Sequence, residues 1–145
     1  MNTAEATHVR VPPAALRLLA TARAALREAQ RAESAPERYA TAHLAALRAA
    51  AGVLAARARP SDARARRPTS AWVLLAQVAP ELGEWATYFA AGADKRAAAL
   101  AGLRSAATAR EADDLLRDAT TFLALVETTL GLLPHDAMPV LHRAG

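Results

Sequence analysis

Apolar residues recur along most of this chain at intervals of three and four, the spacing of one helix face. Pro13 suits a first helical turn, where its missing N–H has no partner to lose. A first helix is expected over Ala14–Ala32, amphipathic mainly through Leu16, Leu18, Leu19 and Leu26, with Arg23 on the stripe. Ser34 and Glu37 stand at capping-box spacing, with Pro36 in the first turn. They predict a second helix that runs to about Ala58. On it His43, Leu47, Ala51 and Leu54 share a face, with Tyr39 at its edge, at about 100° per residue. That face is core or interface. Residues 58–69, with Pro60 and Pro68 near its ends and Arg64, Arg66 and Arg67 within, read as a solvated loop.

Trp72, Leu75, Val78, Leu82, Trp85 and Phe89 continue the helical spacing after a cap at Thr69 or Ser70, and Pro80 interrupts them. The interruption leaves two arrangements open: one kinked helix, or two helices meeting at a short break. This aromatic stripe, with Tyr88 beside it, reads as core rather than as a platform for stacking bases. Gly92 ends the unit, and Asp94–Leu103 is a short alanine-rich helix. Thr108 and Glu111 form a second capping box. It opens a final helix to about Leu130, stopped by Gly131. Leu115, Ala119, Phe122, Val126 and Leu130 make its apolar face, with Leu116 and Leu123 alongside. Glu111, Asp113 and Asp114 fall in its first turn, where carboxylates favour the helix dipole; no metal site is expected from them.

No segment alternates with period two between hairpin turns. The expected fold is therefore all-α, an antiparallel bundle of four to five helices over residues 13–131. A flexible leader (1–12) precedes it and a loose tail (132–145) follows. At 145 residues the chain has the length of a single domain. It has no cysteine, which excludes disulfides and thiolate metal sites and agrees with a cytoplasmic setting. The leader lacks the apolar run of a secretory signal. No run of about 18 uncharged apolar residues occurs, so no membrane span is expected. Residues 1–67 hold 12 arginines and 5 acids, net +7, whereas residues 68–145 hold 6 basic and 9 acidic residues, net −3. The basic half would attract phosphate. The two halves would also complement each other within a bundle or a dimer. The chain has no glycine-rich phosphate loop, nucleophile elbow or zinc motif.

The distinctive polar chemistry lies at the start of the second helix. There Arg38 and His43, with four residues between them, interrupt an alanine- and leucine-rich sequence. They project about 140° apart around that helix.

The blocks ERYATAHLAALRAAAGVLAAR from Glu37, SAWVLLAQVAPELGEWATYFAAGADKRAAA from Ser70 and TAREADDLLRDATTFLALVETTLG from Thr108 appear in order. Together they resemble the HEPN superfamily, and more narrowly an actinobacterial branch of small, stand-alone HEPN proteins. The resemblance implies a helical bundle that dimerises. Many such domains are metal-independent RNA endonucleases. In those, an arginine and a histidine four to six residues later meet across the dimer, a spacing that Arg38 and His43 satisfy. In that role His43 acts as general base or general acid, and Arg38 holds the scissile phosphate. No cofactor is implied. Other HEPN domains bind nucleotide or a protein partner, often a nucleotidyltransferase, without catalysis. The resemblance therefore leaves two readings: an RNA- or nucleotide-binding domain with an Arg38–His43 site, or a non-catalytic helical adaptor in which His43 belongs to the core.

Overall fold

A computed structural model describes residues 11–57 and 71–133. The arginine-bearing loop, the cap at Thr69 or Ser70, and nearly all of the leader and tail lie outside the described residues. Those described fold as α1 (Pro13–Arg31), α2 (Ala35–Arg57), α3 (Ala71–Val78), a 3-10 turn (Pro80–Leu82), α4 (Gly83–Ala91), α5 (Ala93–Leu100) and α6 (Ala109–Thr129). No strand occurs among them. The chain is an all-α helical bundle, as its periodicity predicts.

α2 is the central helix, packed against α1, α6, α5 and α3. It buries a broad arc of its circumference, among them Tyr39, Ala42, His43, Ala46, Ala49, Ala50, Val53 and Leu54, and leaves Glu37 and Ala55 exposed on the remaining side. An arc this wide is broader than the single stripe of a surface helix. α2 is long and apolar enough to cross a membrane, but 61% of the relevant window is buried inside the bundle, as in the core helix of a helical domain.

Alanine makes the close approach possible. α1 buries Ala15, Leu19, Ala22, Ala25, Leu26 and Ala29, a methyl-lined face of the kind that lets helix axes approach toward the short end of the usual ~8–10 Å range. The expected leucine stripe holds at Leu19 and Leu26 and is corrected at Leu16, which is 43% exposed. The alanines at i, i+3 and i+7 set the face, and Leu16 lies just off it.

Pro80 separates two helices rather than bending one. The residue before a proline is disfavoured in the helical region. Ala79 accordingly sits at φ −139°, ψ 73°, so α3 ends and the 3-10 turn begins anew. α5 stops at Leu100, short of the expected Leu103. Gly102 takes φ +89°, and the Leu103 N–H reaches back to the Ala98 carbonyl at 3.1 Å while the Gly102 N–H reaches Ala99 at 3.1 Å. This paired closure of a helix end requires a left-handed residue, which glycine adopts without steric strain. α6 opens on the full capping box: the Glu111 N–H donates to Thr108 Oγ1 at 3.1 Å, and the Thr108 N–H donates to Glu111 Oε1 at 2.9 Å.

The core is one cluster in which Trp72, Leu75, Leu82, Phe89, Leu115, Phe122 and Val126 surround the alanine side of α2. Phe89 sits at its middle, with its ring centroid 5.4 Å from Trp72, 5.1 Å from Phe122 and 5.9 Å from Trp85. The aromatic stripe is therefore core, apart from the edge presented by Tyr88 and Trp85.

Candidate functional site

His43 lies on the side of α2 that meets α3 and α4. It is 2% exposed. Its Nε2 stands 2.8 Å from the Phe89 carbonyl oxygen. A carbonyl only accepts, so Nε2 carries the proton and Nδ1 is the bare acceptor. The Phe89 carbonyl also receives the Gly92 N–H at 3.0 Å, so this one oxygen ties the end of α4 to α2. Trp72 and Phe89 stand edge-on to the imidazole with centroids at 6.0 and 6.2 Å, and Tyr39 stacks at 6.5 Å. Nδ1 is buried with no hydrogen-bond partner. Burial pushes the imidazole below its ordinary value near 6.5; the charge of Arg96 lowers it further, while the bond to Phe89 opposes both. At neutral pH His43 is thus an uncharged ring inside an aromatic enclosure.

The enclosure closes through Gly92. A methyl group there would fall 2.6 Å from Tyr39 Oη and 3.5 Å from His43 Cδ2, so only a residue without a side chain lets the α4–α5 corner lie over α2. Lys95, one turn on, holds its ammonium 6.0 Å from the Tyr39 ring centre and pairs with Glu111 at 3.2 Å. Burial, then the charge of Glu111, raises the Tyr39 phenol above its usual value.

Arg38 turns the other way. One guanidinium nitrogen is 3.1 Å from Asp113 Oδ1 on α6, and the other donates to the Ala32 carbonyl just beyond α1 at 3.0 Å. The arginine joins the end of α1, the start of α2 and the second turn of α6; of the three acids expected in that helix's first turn only Glu111 lies there. Within one protomer Arg38 and His43 are not brought together. The former serves a helix junction and the latter a core.

The acidic cluster at the start of α6 is likewise divided. Glu111 answers Lys95, Asp113 answers Arg38, and Asp114 answers Arg117. Among the described residues no group of His, Asp or Glu side chains is placed to hold a metal ion. A buried ion pair that the periodicity does not announce joins α1 to α6: Arg23 lies 2.7 Å from Glu127, whose side chain is 4% exposed. A carboxylate buried this deeply is tolerated only when paired and hydrogen-bonded. Its sequence signal is an acid within the apolar face of the final helix, one residue after Val126. The other unforeseen contributors are the Phe89 carbonyl and Gly92, a backbone atom and an absent side chain.

A family model described as SAV_6107-like HEPN matches residues 29–127. No curated protein and no solved structure matches the chain significantly.

Proposed function

Since the chain belongs to the SAV_6107-like HEPN family, we propose that it is a non-catalytic member, a helical module that acts by binding a partner, in which His43 serves the fold rather than a reaction. The observation that supports this is the sealed imidazole: 2% exposed, with Nε2 committed to a backbone carbonyl 2.8 Å away. Metal-independent RNA cleavage needs a base or acid within hydrogen-bond reach of the ribose or the leaving oxygen. It also needs a cation at the phosphate. Arg38 is engaged with Asp113 and Ala32 on a different side of α2. A second copy would bring its own arginine, but no phosphate reaches an imidazole lying beneath Tyr39, Trp72 and Phe89 while the α4–α5 corner stays closed.

The test is incubation of the purified chain with single-stranded RNA in EDTA, beside Arg38→Ala and His43→Gln variants. The expected result is the same uncleaved RNA in all lanes. Cleavage by the wild-type chain that either variant abolishes would overturn the proposal and restore the Arg38–His43 pair as a catalytic site.

A further inference from the structure

Away from His43, α4 and α6 build a hollow of different chemistry. Trp85 and Tyr88 lie one turn apart on α4, with centroids 6.4 Å apart and ring planes perpendicular, so they form two walls of a corner. Glu84 and Asp118 complete it, and the four residues line a cavity of about 350 Å³. Trp85 packs parallel to Phe89 within the core, which fixes the indole without covering it. Tyr88 is 43% exposed, and its hydroxyl donates to Asp118 Oδ2. Burial first, and then this bond to a carboxylate, push the phenol far above its usual range. It stays a neutral donor and holds the carboxylate beside the aromatic corner.

Among the described residues the charge in this hollow is unanswered. Arg57 is engaged with Glu81, Lys95 with Glu111 and Arg117 with Asp114. Among the described residues no cation pairs with Glu84 or Asp118. An aromatic face attracts cations through its quadrupole, and a guanidinium also stacks on it. Carboxylates at the rim add to that attraction and repel phosphate, which separates this corner from a base-stacking platform.

We propose that the corner formed by Glu84, Trp85, Tyr88 and Asp118 is a docking site for an arginine side chain presented by a segment of a basic protein partner. The cavity holds a side chain rather than a folded element, its walls match the planar guanidinium, and its two carboxylates supply the complementary charge. The inference rests on the binding-module reading for its purpose, since it gives that module the chemistry of its partner. Its geometry is independent of His43.

The full chain is titrated with a hexa-arginine peptide at low salt while the two indole N–H resonances are followed by NMR. Trp72, 7% exposed in the core, is the internal control. The expected result is a saturable shift of the Trp85 signal that a glutamate peptide of equal length does not produce. Affinity should fall about tenfold in a Glu84→Gln/Asp118→Asn variant, and by a smaller factor in Glu84→Gln, an exposed position that decides the matter should the double variant misfold. No saturable shift at Trp85, equal affinity in the variants, or the same response to the glutamate peptide would overturn the proposal. A dimer of the free chain that the peptide dissolves would overturn the choice of occupant, making it a second copy. RNA cleavage by the chain would sink the non-catalytic reading while leaving the peptide result standing, so the two failures are distinct.

Discussion

Acidification should weaken this protein through His43 before it touches Glu81 or Glu111. The folded imidazole titrates below its ordinary value because it is buried, with Arg96 adding to the effect. The unfolded chain takes up that proton near pH 6.5. Between there and the lower folded value the unfolded state holds more protons, so unfolding is favoured as pH falls. The stabilising contribution is whole above about pH 7 and declines below 6.5, with a slope that approaches 1.36 kcal/mol per pH unit for a single proton. Against a typical total of about 5–15 kcal/mol, one to two pH units is a measurable fraction. Glu81 and Glu111 also sit below their ordinary values, chiefly through backbone hydrogen bonds and then Arg57 and Lys95 respectively. Their contributions are lost only below about pH 4.5, outside the histidine window. The assay is urea unfolding followed by circular dichroism from pH 8 to pH 5, for the wild type and His43→Gln. Glutamine keeps a donor near the Phe89 carbonyl but does not titrate. The variant should lose about 1–2 kcal/mol at pH 8 and the slope between pH 6.5 and 5 should vanish. Parallel slopes in the two proteins, or a wild type that gains stability on acidification, would refute the buried, neutral imidazole.

Other substitutions probe the supports of the bundle. Arg23→Ala removes one partner of a carboxylate whose side chain is 4% exposed and should destabilise by about 1–3 kcal/mol in denaturant unfolding, whereas Arg117→Ala, at an exposed pair, should cost under about 1 kcal/mol. Thr108→Ala breaks the capping box and should lower stability by about 1 kcal/mol, read as a reduced melting temperature. Gly102→Ala places a side chain at φ +89° and should cost about 1 kcal/mol or more. Faster amide exchange at the end of α5 would accompany it.

What the sequence makes legible here is what depends on near neighbours. The Thr108–Glu111 box and the break at Pro80 each follow from residues a few positions apart, and both are found where they are expected. The core face of α2 is foreseen only in part: His43 and Leu54 are buried, whereas Leu47 and Ala51 are only partly covered, and Ala42, Ala46, Ala49 and Val53 carry the centre of the face. The partners of the two candidate residues are another matter. His43 meets a carbonyl 46 residues away, and Arg38 meets Asp113 at a separation of 75. Neither periodicity nor spacing carries information about such encounters. Alanine hides a further part of the picture. Its weak hydrophobicity gives leucine the lead in any pattern, yet Ala15, Ala22, Ala25 and Ala29 join Leu19 and Leu26 on the buried side of α1 while Leu16 stays out.

The Arg38 junction has a consequence for how this chain would diverge. Three helices share a single rivet, and the rivet's head is fixed by an aspartate that is itself 60% exposed. A neutral residue at 113 would leave most of the bundle undisturbed and the guanidinium held by the Ala32 carbonyl alone. How firmly that cation is kept from the outside is thus set in part on the final helix, far along the chain from the arginine itself.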